Sequence, residues 1–304
     1  GAYTVFRVEL FKGKSHFGEN VTFDETLPTN YLADEVIDDN KVNELLAKKY
    51  NETIVIAEDD SEILAYLKDE LSTNFRVIAV NNGYDAVKAV MDDEVSLILS
   101  DVLMPALNGF QLCSNIKSNI ATCHIPIVLL TALSDDNQRI YGIAEGADEY
   151  IHKPFNMQYV RLKIIRIIEE RKRLASTFAQ KFGRLTRHEA ANLPCVDDVF
   201  RDKLFNLIEA QHSDSNFKIE LMSDMLGMSR ILLYRKITSI FGMSPSDLLR
   251  NYRLQKAVQL LTDQRRNVSE VAYIVGFSSP AYFAKCFKSV YNMTPTEYMY
   301  RTRE

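Results

Sequence analysis

The sequence predicts an α/β domain followed by an all-α domain, and two observations carry this prediction. From residue 53 to residue 182, short β-branched runs alternate with segments of helical spacing. After residue 198 the strand patterns stop, and helical patterns separated by short breaks fill the rest of the chain. Five successive strand–helix units predict a doubly wound, five-stranded parallel sheet, because parallel strands need crossover connections.

The units of the predicted sheet follow one another in order. The strands are TIVIA, FRVIAV, VSLILSD, IPIVLLTA and EYIHK. The helices after the first four strands are SEILAYLKDEL, GYDAVKAVMDD, NGFQLCSNIKSN and DDNQRIYGIAEG. The fifth strand leads into NMQYVRLKIIRIIEERKRLASTFAQKF, a helix long enough to leave the domain as a connector. Continuous apolar strands of this kind are typical of sheets covered on both faces.

Pattern and composition divide the chain into five segments. YTVFRVEL near the start alternates like a strand, and the acidic stretch after it, broken by Pro and Gly, is typical of a linker. A second polar stretch, GRLTRHEAANLPCVDD, separates the α/β and helical parts. The expected segments are a terminal strand in 1–17, a linker in 18–50, the α/β domain in 51–175, a linker continuing the last helix in 176–197, and the helical domain in 198–304.

Composition excludes several classes of protein. No apolar run approaches the roughly 20 residues that a membrane-spanning helix needs. The four cysteines show no C-x-x-C pairing, so reduced cytoplasmic thiols are expected rather than a zinc site or disulfides. The net charge of −5 is uneven, because residues 197–304 carry +3 and the rest carries −8. This asymmetry suggests different partners for the two parts, but so small a basic excess does not establish nucleic-acid binding.

Reactive side chains stand at the carboxyl ends of four predicted strands, where open α/β sheets bind their ligands. They are Glu58, Asp59 and Asp60 after TIVIA, Asp101 at the end of VSLILSD, Thr131 in IPIVLLTA, and Lys153 after EYIHK. Carboxylates with oxygen-only neighbours suit Mg²⁺ better than zinc. A carboxylate can also attack phosphorus to give an aspartyl phosphate, while a metal ion, an ammonium and a hydroxyl neutralise the transferred oxygens.

Taken one at a time, most of these residues, and Tyr150 beside them, have a simpler interpretation than phosphoryl chemistry. Asp101 alone is more often a turn-initiating residue, here before MPALNG. An EDD triplet alone is more often an acidic cluster at a helix N-terminus. Lys153 alone is usually a solvated lysine, and Tyr150 alone is usually a half-buried core residue. Their coincidence on the strand ends of one sheet favours the functional interpretation.

Residues 53–175 resemble a response-regulator receiver domain, whose fold is flavodoxin-like. The resemblance rests on the acidic pair, SDVLMPALNG, LLTA and HKPF, in that order and at the family's spacing. It implies that Asp101 accepts a phosphoryl group and that Mg²⁺ is the cofactor. The other implied roles are Asp59 as a direct metal ligand, Glu58 beside the metal, Leu103 as a ligand through its backbone carbonyl, Thr131 and Lys153 on the phosphoryl oxygens, and Tyr150 as the aromatic that changes rotamer with Thr131. Glu58 departs from the family's commoner aspartate.

Two segments of the helical third have the pattern of a helix-turn-helix unit. In IELMSDMLGMSRILLYRKITSIFG, Gly227 ends one helix and Ser229 can cap the next. In VSEVAYIVGFSSPAYFAKCFKSVYN, Gly276 ends a helix, and Ser278 or Ser279 can cap the next one. The alternative is an ordinary helical bundle with surface Arg and Lys, which accounts for one such unit better than for two.

Residues 198–301 resemble the AraC-type DNA-binding domain, most strongly in VAYIVGFSSPAYFAKCFKSVYNMTPTEY. The resemblance implies that the second helix of each unit enters a major groove, with the two helices about one DNA turn, roughly 34–36 Å, apart. Helical spacing then predicts the groove-facing residues: Ser229, Arg230, Ile231, Tyr234 and Arg235 in the first unit, and Ser278, Ser279, Ala281, Tyr282 and Lys285 in the second. Arg235 and Lys285 are expected to contact guanine edges or phosphates, whereas Ile231 and Ala281 offer only apolar contacts.

GAYTVFRVELFKGKSHF resembles the closing strand of a histidine-kinase ATP-binding domain. Together with the two later resemblances, this order is similar to the C-terminal part of a hybrid two-component sensor. In gut bacteria such proteins typically sense breakdown products of complex carbohydrates. The chain lacks the kinase's phosphorylatable His motif and the glycines of its ATP lid. It is therefore expected to accept phosphate without being an enzyme itself.

The resemblances together imply a phosphorylation-controlled transcription regulator. A histidine kinase, fused in the parent chain, would phosphorylate Asp101 and favour a homodimer that binds double-stranded DNA. The chain is expected in the cytoplasm, as the tail of an inner-membrane sensor, without membrane contact of its own. Two alternatives stay open: a phosphorelay or phosphate-sink receiver with a protein-docking helical domain, and a phosphate-independent DNA binder.

Overall fold

The computed structural model describes residues 39–132, 146–182, 197–262 and 266–301. The expectations for residues 1–38, for the helix near residues 135–145 and for the segment 183–196 lie outside these described residues.

Five parallel strands form one sheet, which confirms the predicted α/β fold. The strands are β1 Thr53–Ala57, β2 Arg76–Val80, β3 Leu97–Asp101, β4 Ile127–Thr131 and β5 Glu149–His152. Their order is β2-β1-β3-β4-β5, so the chain winds first to one side of β1 and then to the other. β1, β3 and β4 are buried along their whole lengths. Strands covered on both faces have no solvent-facing side, which explains their nearly continuous apolar sequences.

Helices pack on both faces of this sheet. Those described are α1 Asp39–Ala47, α2 Ser61–Ser72, α3 Gly83–Asp92, α4 Gly109–Ser118 and α5 Met157–Phe182. Strand residues alternate between two apolar clusters, one shared with α2 and the first half of α5, and the other shared with α3 and α4. The alternation follows from the opposite directions of successive side chains along a strand.

Side-chain caps set the start of the helices that follow β1, β2 and β3. Asp60 accepts two backbone N–H bonds at the start of α2, and Asn82 caps α3 in the same way. Asn108 and Gln111 form a capping box at the start of α4. Such caps satisfy N–H groups that have no partner within the helix, and each contributes about 1 kcal/mol.

Helix α5 belongs to two hydrophobic cores. Its first half buries Val160, Ile164 and Ile168 in the core of the sheet. Its last turns bury Phe178 and Phe182 in the core of the helical region. With 26 residues, the helix is about 39 Å long, so it physically joins the two parts of the chain.

The C-terminal region is all-α, as predicted. Its helices within the described residues are α6 Asp198–Gln211, α7 Ile219–Met225, α8 Arg230–Phe241, α9 Pro245–Thr262, α10 Val268–Ile274, α11 Pro280–Tyr291 and α12 Pro295–Arg301. Side chains of α6, α7, α8 and the start of α9 share one core, and the end of α9 packs with α10, α11 and α12 in another. None of the described helices is both long enough and apolar enough to cross a lipid bilayer.

The turns before α8 and α11 have the same construction. Gly227 and Gly276 have φ angles of 66° and 89°, in the left-handed region that favours glycine. Ser229 and Ser279 then cap α8 and α11 by accepting the N–H of the third residue beyond. Of the two serines that the sequence offers for the second cap, Ser279 is the one that forms it.

The α/β domain and the helical region meet at the amino-terminal edge of the sheet. We call this contact the seam; it consists of residues 119–125, residues 91–96 and the flank of α8 that faces them. Lys236 in α8 is fully buried there. Its Nζ lies 2.6 Å from Asp197 Oδ2 and 3.2 Å from Cys123 Sγ, and it donates to the Ile120 carbonyl. An ammonium buried without partners would be very costly, so these contacts orient α8 against residues 119–125.

Two further observations describe the seam. Ala121, in the loop after α4, belongs to the same apolar cluster as residues of α6 and α8. Burial by itself would raise the pKa of Asp197, but hydrogen bonds from Lys236 and Cys123 outweigh burial and hold that pKa below its usual value. The seam is thus both apolar and charge-compensated.

We expect Gly109→Ala to lower the free energy of unfolding by about 1–3 kcal/mol, the usual range for overpacking. A Cβ at this position would lie 2.3 Å from the Asp101 carbonyl oxygen and 2.9 Å from Val102 Cα. Both are backbone atoms, so no side-chain rotation relieves the clash. Denaturant unfolding measures the effect. The matched control is Ser118→Ala on the exposed side of the same helix, and equal stabilities of the two variants would contradict the close contact.

Candidate functional site

The carboxyl edge of the sheet gathers the side chains that the sequence predicted for it. Asp101 ends β3 and Thr131 ends β4, while Glu58 and Lys153 directly follow β1 and β5. The parallel arrangement of the strands brings these four ends to one edge. The backbone N–H of Lys153 also donates to the Thr131 carbonyl at 2.7 Å, which ties the last two strand ends together.

Three carboxylates form a compact cluster at this edge. One oxygen from each of Glu58, Asp59 and Asp101 lies within 4.8 Å of the other two. Glu58 and Asp101 are buried and Asp59 is exposed. Asp101 Oδ1 accepts the N–H of Val102 at 2.8 Å, which orients its carboxylate. The cluster therefore opens to solvent on the Asp59 side.

Lys153 is the counter-charge of the two buried carboxylates. Its Nζ lies 2.9 Å from Glu58 Oε2 and 3.1 Å from Asp101 Oδ2. Burial alone would lower the pKa of Lys153, but hydrogen bonds to these two carboxylates outweigh it, so the pKa is raised. The ammonium is charged at neutral pH and keeps both carboxylates in place.

The pKa of Glu58 is shifted upwards. Burial is the main cause, and the nearby Asp101 carboxylate adds to it, while the hydrogen bond from Lys153 opposes both. One ammonium thus does not fully compensate two buried carboxylates. The cluster has a local surplus of negative charge.

This donor set fits a hard divalent cation. It offers carboxylate oxygens without histidine or thiolate among them, which is the ligand chemistry of Mg²⁺. A divalent cation would also offset the surplus negative charge. Asp60 belongs elsewhere, because its carboxylate accepts the N–H groups of Glu62 and Ile63 at 2.8 and 3.1 Å.

The remaining predicted receiver residues lie around the cluster. Thr131 is 6% exposed, and Tyr150 is half-buried against the apolar cluster shared with α3 and α4. Leu103 lies two residues after Asp101 with its side chain exposed. Metal ligation by the Leu103 carbonyl and a coupled movement of Thr131 and Tyr150 stay predictions.

Most of the predicted DNA-contacting residues are on exposed surfaces. Exposed positions are Ser229, Arg230, Ile231 and Tyr234 at the start of α8, and Ser278, Ala281, Tyr282 and Lys285 at the start of α11. Ser279 is half-buried and caps α11. Arg235, which sequence spacing places on the exposed face, is also half-buried, in its case at the seam. Its guanidinium donates to backbone carbonyls at the end of α3.

Sequence reasoning also missed Lys236. A lysine next to an arginine on a helix of helix-turn-helix pattern is typical of a surface residue, and Lys is seldom fully buried. The one available signal is its position three residues after Leu233 and one before Ile237, both of which are core residues. That signal is too weak to predict a buried lysine without knowledge of what covers the helix.

Two family models match the chain. The model of the response regulator receiver domain matches residues 54–165, and a model of a helix-turn-helix domain matches residues 222–301. Each match lies within one of the two domains described above. The chain therefore joins a response-regulator receiver domain to an AraC-type helix-turn-helix domain.

The chain is also similar to individual proteins. It is 35% identical to Histidine kinase P4 of Formosa agariphila over 313 residues, covering 99% of this chain and 22% of that protein. It is 38% identical to Transcriptional regulatory protein GltR of Pseudomonas aeruginosa over 113 residues, covering 37% of this chain and 47% of that protein. The chain thus spans less than half the length of either relative. A solved receiver domain of a histidine kinase from Syntrophus aciditrophicus is 34% identical, with a TM-score of 0.39, covering 40% of this chain and 93% of that one.

We expect Glu58→Gln to be more stable than wild type at neutral pH in metal-free buffer. The folded-state pKa of Glu58 is raised above its ordinary value of 4.5. The wild-type carboxyl group therefore favours the folded state below that value and loses this contribution as pH rises through the folded pKa. The advantage of the variant should grow over the same range, by about 1.4 kcal/mol for each tenfold difference in proton affinity between the folded and unfolded states.

Denaturant unfolding at several pH values with a chelator present measures this difference. Glu62→Gln removes an exposed carboxylate from the adjacent helix and serves as the control. A Glu58→Gln advantage that stays constant from pH 4 to pH 7 would contradict the raised pKa.

Proposed function

We propose that this chain is a phosphorylation-dependent, DNA-binding regulator of transcription. The observation that carries the proposal is the combination of two sites in one chain. Asp101 lies with Glu58 and Lys153 in a charged cluster at the sheet edge. The helical region offers two capped helices whose first turns expose polar, basic and aromatic side chains.

The first cluster is suited to accept a phosphoryl group from a phosphohistidine of a histidine kinase. One Asp101 carboxylate oxygen attacks phosphorus as the P–N bond breaks; the electron pair of that bond returns to the imidazole, and an acyl phosphate forms. Lys153, already 3.1 Å from Asp101, would offset the charge that arrives, and the Thr131 hydroxyl would donate to a phosphoryl oxygen. Bound by Glu58, Asp59 and Asp101, Mg²⁺ would neutralise the transferred oxygens.

The second site is suited to read DNA. We infer that the second helix of each unit enters a major groove, with Arg230 and Tyr234 exposed in one and Lys285 and Tyr282 exposed in the other. Phosphorylation would favour a homodimer, which places two such domains on a repeated site. The chain itself needs no enzymatic activity for this role.

The wider protein is proposed from the comparisons. A relative named as a histidine kinase contains a region similar to nearly the whole chain within a much longer sequence. We infer that the donor kinase is fused upstream in a hybrid two-component sensor, with this part in the cytoplasm. Control of carbohydrate utilisation follows only from the resemblance to such sensors.

We expect acetyl phosphate with Mg²⁺ to increase both dimerisation and DNA affinity of the wild-type chain, and neither in Asp101→Asn. The variant keeps a side chain of the same size but cannot form the acyl phosphate. The DNA probe is a duplex selected from a random-sequence library by the phosphodonor-treated chain, and sedimentation with fluorescence anisotropy measures the two equilibria. If wild type and Asp101→Asn respond alike, Asp101 is not the switch.

We expect Lys285→Ala to weaken binding of the same duplex by about 1–3 kcal/mol. The control is Lys203→Ala, which removes an exposed lysine of α6 outside both helix-turn-helix units. Equal affinities of these two variants would exclude Lys285 from the DNA interface.

We expect Mg²⁺ to stabilise the folded wild-type chain by about 1.4 kcal/mol at ten times its dissociation constant. Asp101→Asn should show little of this gain, because it removes one of the three clustered carboxylates. The same loss of like charge should make the variant the more stable chain without metal. Thermal unfolding over a MgCl₂ series measures both effects, and an equal Mg²⁺ response of the two chains would exclude the cluster as the binding site.

A further inference from the structure

The second helix of each helix-turn-helix unit has an exposed apolar residue near its start, which the proposed function does not use. Ile231 is the second residue of α8 and is 62% exposed. Ala281 is the second residue of α11 and is also exposed. Neither side chain belongs to the apolar clusters that the described helical residues form. Core packing therefore does not account for an apolar residue at these positions.

Ile231 and Ala281 occupy the same place relative to the cap and the core of their helices. Each lies two positions after the serine that caps its helix. Two positions further on, Leu233 and Phe283 are fully buried. Two residues turn a helix by about 200°, so Ile231 and Ala281 lie on the side opposite the core. A single exposed isoleucine would need no explanation, but here both units have an apolar residue at the matching position.

The other exposed side chains near these helix starts suit only some of the bases. In the major groove, Arg or Lys recognises guanine, whereas the amide of Asn or Gln recognises adenine. Basic and hydroxyl groups are present but no amide, because the exposed residues are Ser229, Arg230, Ile231, Tyr234, Ser278, Ala281, Tyr282 and Lys285. The feature of an A·T pair that suits this set is the thymine C5-methyl group, which faces the major groove and accepts apolar contacts.

We propose that Ile231 and Ala281 are specificity-determining residues that contact thymine methyl groups, one in each half of the DNA site. The inference rests on the proposed DNA-binding function and names the base that its two helices select. The first turn of such a helix is the part that contacts base edges. The DNA ligand is then a duplex with two selected thymines about one helical turn, roughly 10 base pairs, apart.

The two contacts should differ in strength. The free energy of an apolar contact is roughly proportional to the area that it removes from water. Ile231 offers a branched side chain of four carbons, and Tyr234, 49% exposed, lies three positions further on the same helix face. Ala281 offers a single methyl group. The half-site bound by α8 should therefore depend more strongly on its thymine than the half-site bound by α11.

The test replaces thymine by uracil, one position at a time, in the duplex selected by phosphodonor-treated wild type. Uracil lacks only the C5-methyl group, so base pairing and the hydrogen-bonding groups of the base are kept. Affinities are measured for the full chain with acetyl phosphate and Mg²⁺. The variants are Ile231→Ala and Ala281→Gly, and the matched control is Val199→Ala, at a 66% exposed position of α6 outside both units.

We expect wild type to bind about fourfold more weakly when the thymine beside Ile231 becomes uracil, the effect of one buried methyl group, and to lose less at the thymine beside Ala281. Ile231→Ala should lose most of its sensitivity to the first replacement and keep its sensitivity to the second. Ala281→Gly should show the reverse, and Val199→Ala should keep both. Any loss of helix stability in a variant affects both duplexes equally, so it cancels in the ratio of affinities.

The outcomes separate the two proposals. If treated wild type binds every uracil-containing duplex as tightly as the original, or selects a duplex without thymine in its half-sites, the thymine contacts are overturned and the proposed function stands. If uracil weakens binding equally in wild type and both variants, other residues contact the thymines, and the assignment to Ile231 and Ala281 is overturned. If no duplex is selected at all, the proposed function fails, and this inference fails with it.

Discussion

The ion pair of Lys153 with Glu58 and Asp101 is the interaction on which the receiver site depends. Two carboxylates at the end of a buried parallel sheet would be unfavourable without a counter-charge. Lys153 supplies it from the end of β5, at 2.9 Å from Glu58 Oε2 and 3.1 Å from Asp101 Oδ2. The compensation is incomplete, which leaves the cluster able to gain a cation. The same ammonium is already in place to meet the negative charge of a phosphoryl group on Asp101.

A fully buried lysine, Lys236, has the corresponding role at the opposite edge of the sheet. Lys236 joins α8 to Asp197 and to the loop before β4. Breaking a buried charged contact of this kind is costly, because the partner that remains is uncompensated. The seam can therefore be a defined state of the molecule instead of a loose apposition of two domains. Its apolar part contains Ala121, which is buried in the same cluster as residues of α6 and α8.

Two helices, α3 and α4, connect the two edges of the sheet, and a glycine at the start of each allows close packing near Asp101. Gly109 allows α4 to begin against the backbone of Asp101 and Val102, and Gly83 allows α3 to begin against Leu107 in the loop that follows. The far ends of the same helices provide the groups that hold Lys236 and Arg235. A contiguous packed route thus connects the two edges, and chains of packed elements can carry energetic coupling between sites.

The sequence by itself determined the α/β architecture, the strand-end positions of Glu58, Asp101, Thr131 and Lys153, and the two helix-turn-helix patterns. These features depend on local periodicity and on the rule that parallel strands end at a common edge, so spacing along the chain is enough to predict them. It also predicted the capping serines, although only the structure distinguished Ser279 from Ser278.

Only the tertiary structure decided what α8 contacts. Helical spacing shows which side chains share a face, but it does not show what covers that face, and Arg235 and Lys236 meet receiver groups more than 100 positions away in the chain. The partners of Arg235 are backbone carbonyls, which have no sequence signature of their own. The position of Asp60 was likewise decided by local capping geometry, which removed it from the carboxylate cluster that its sequence neighbours form.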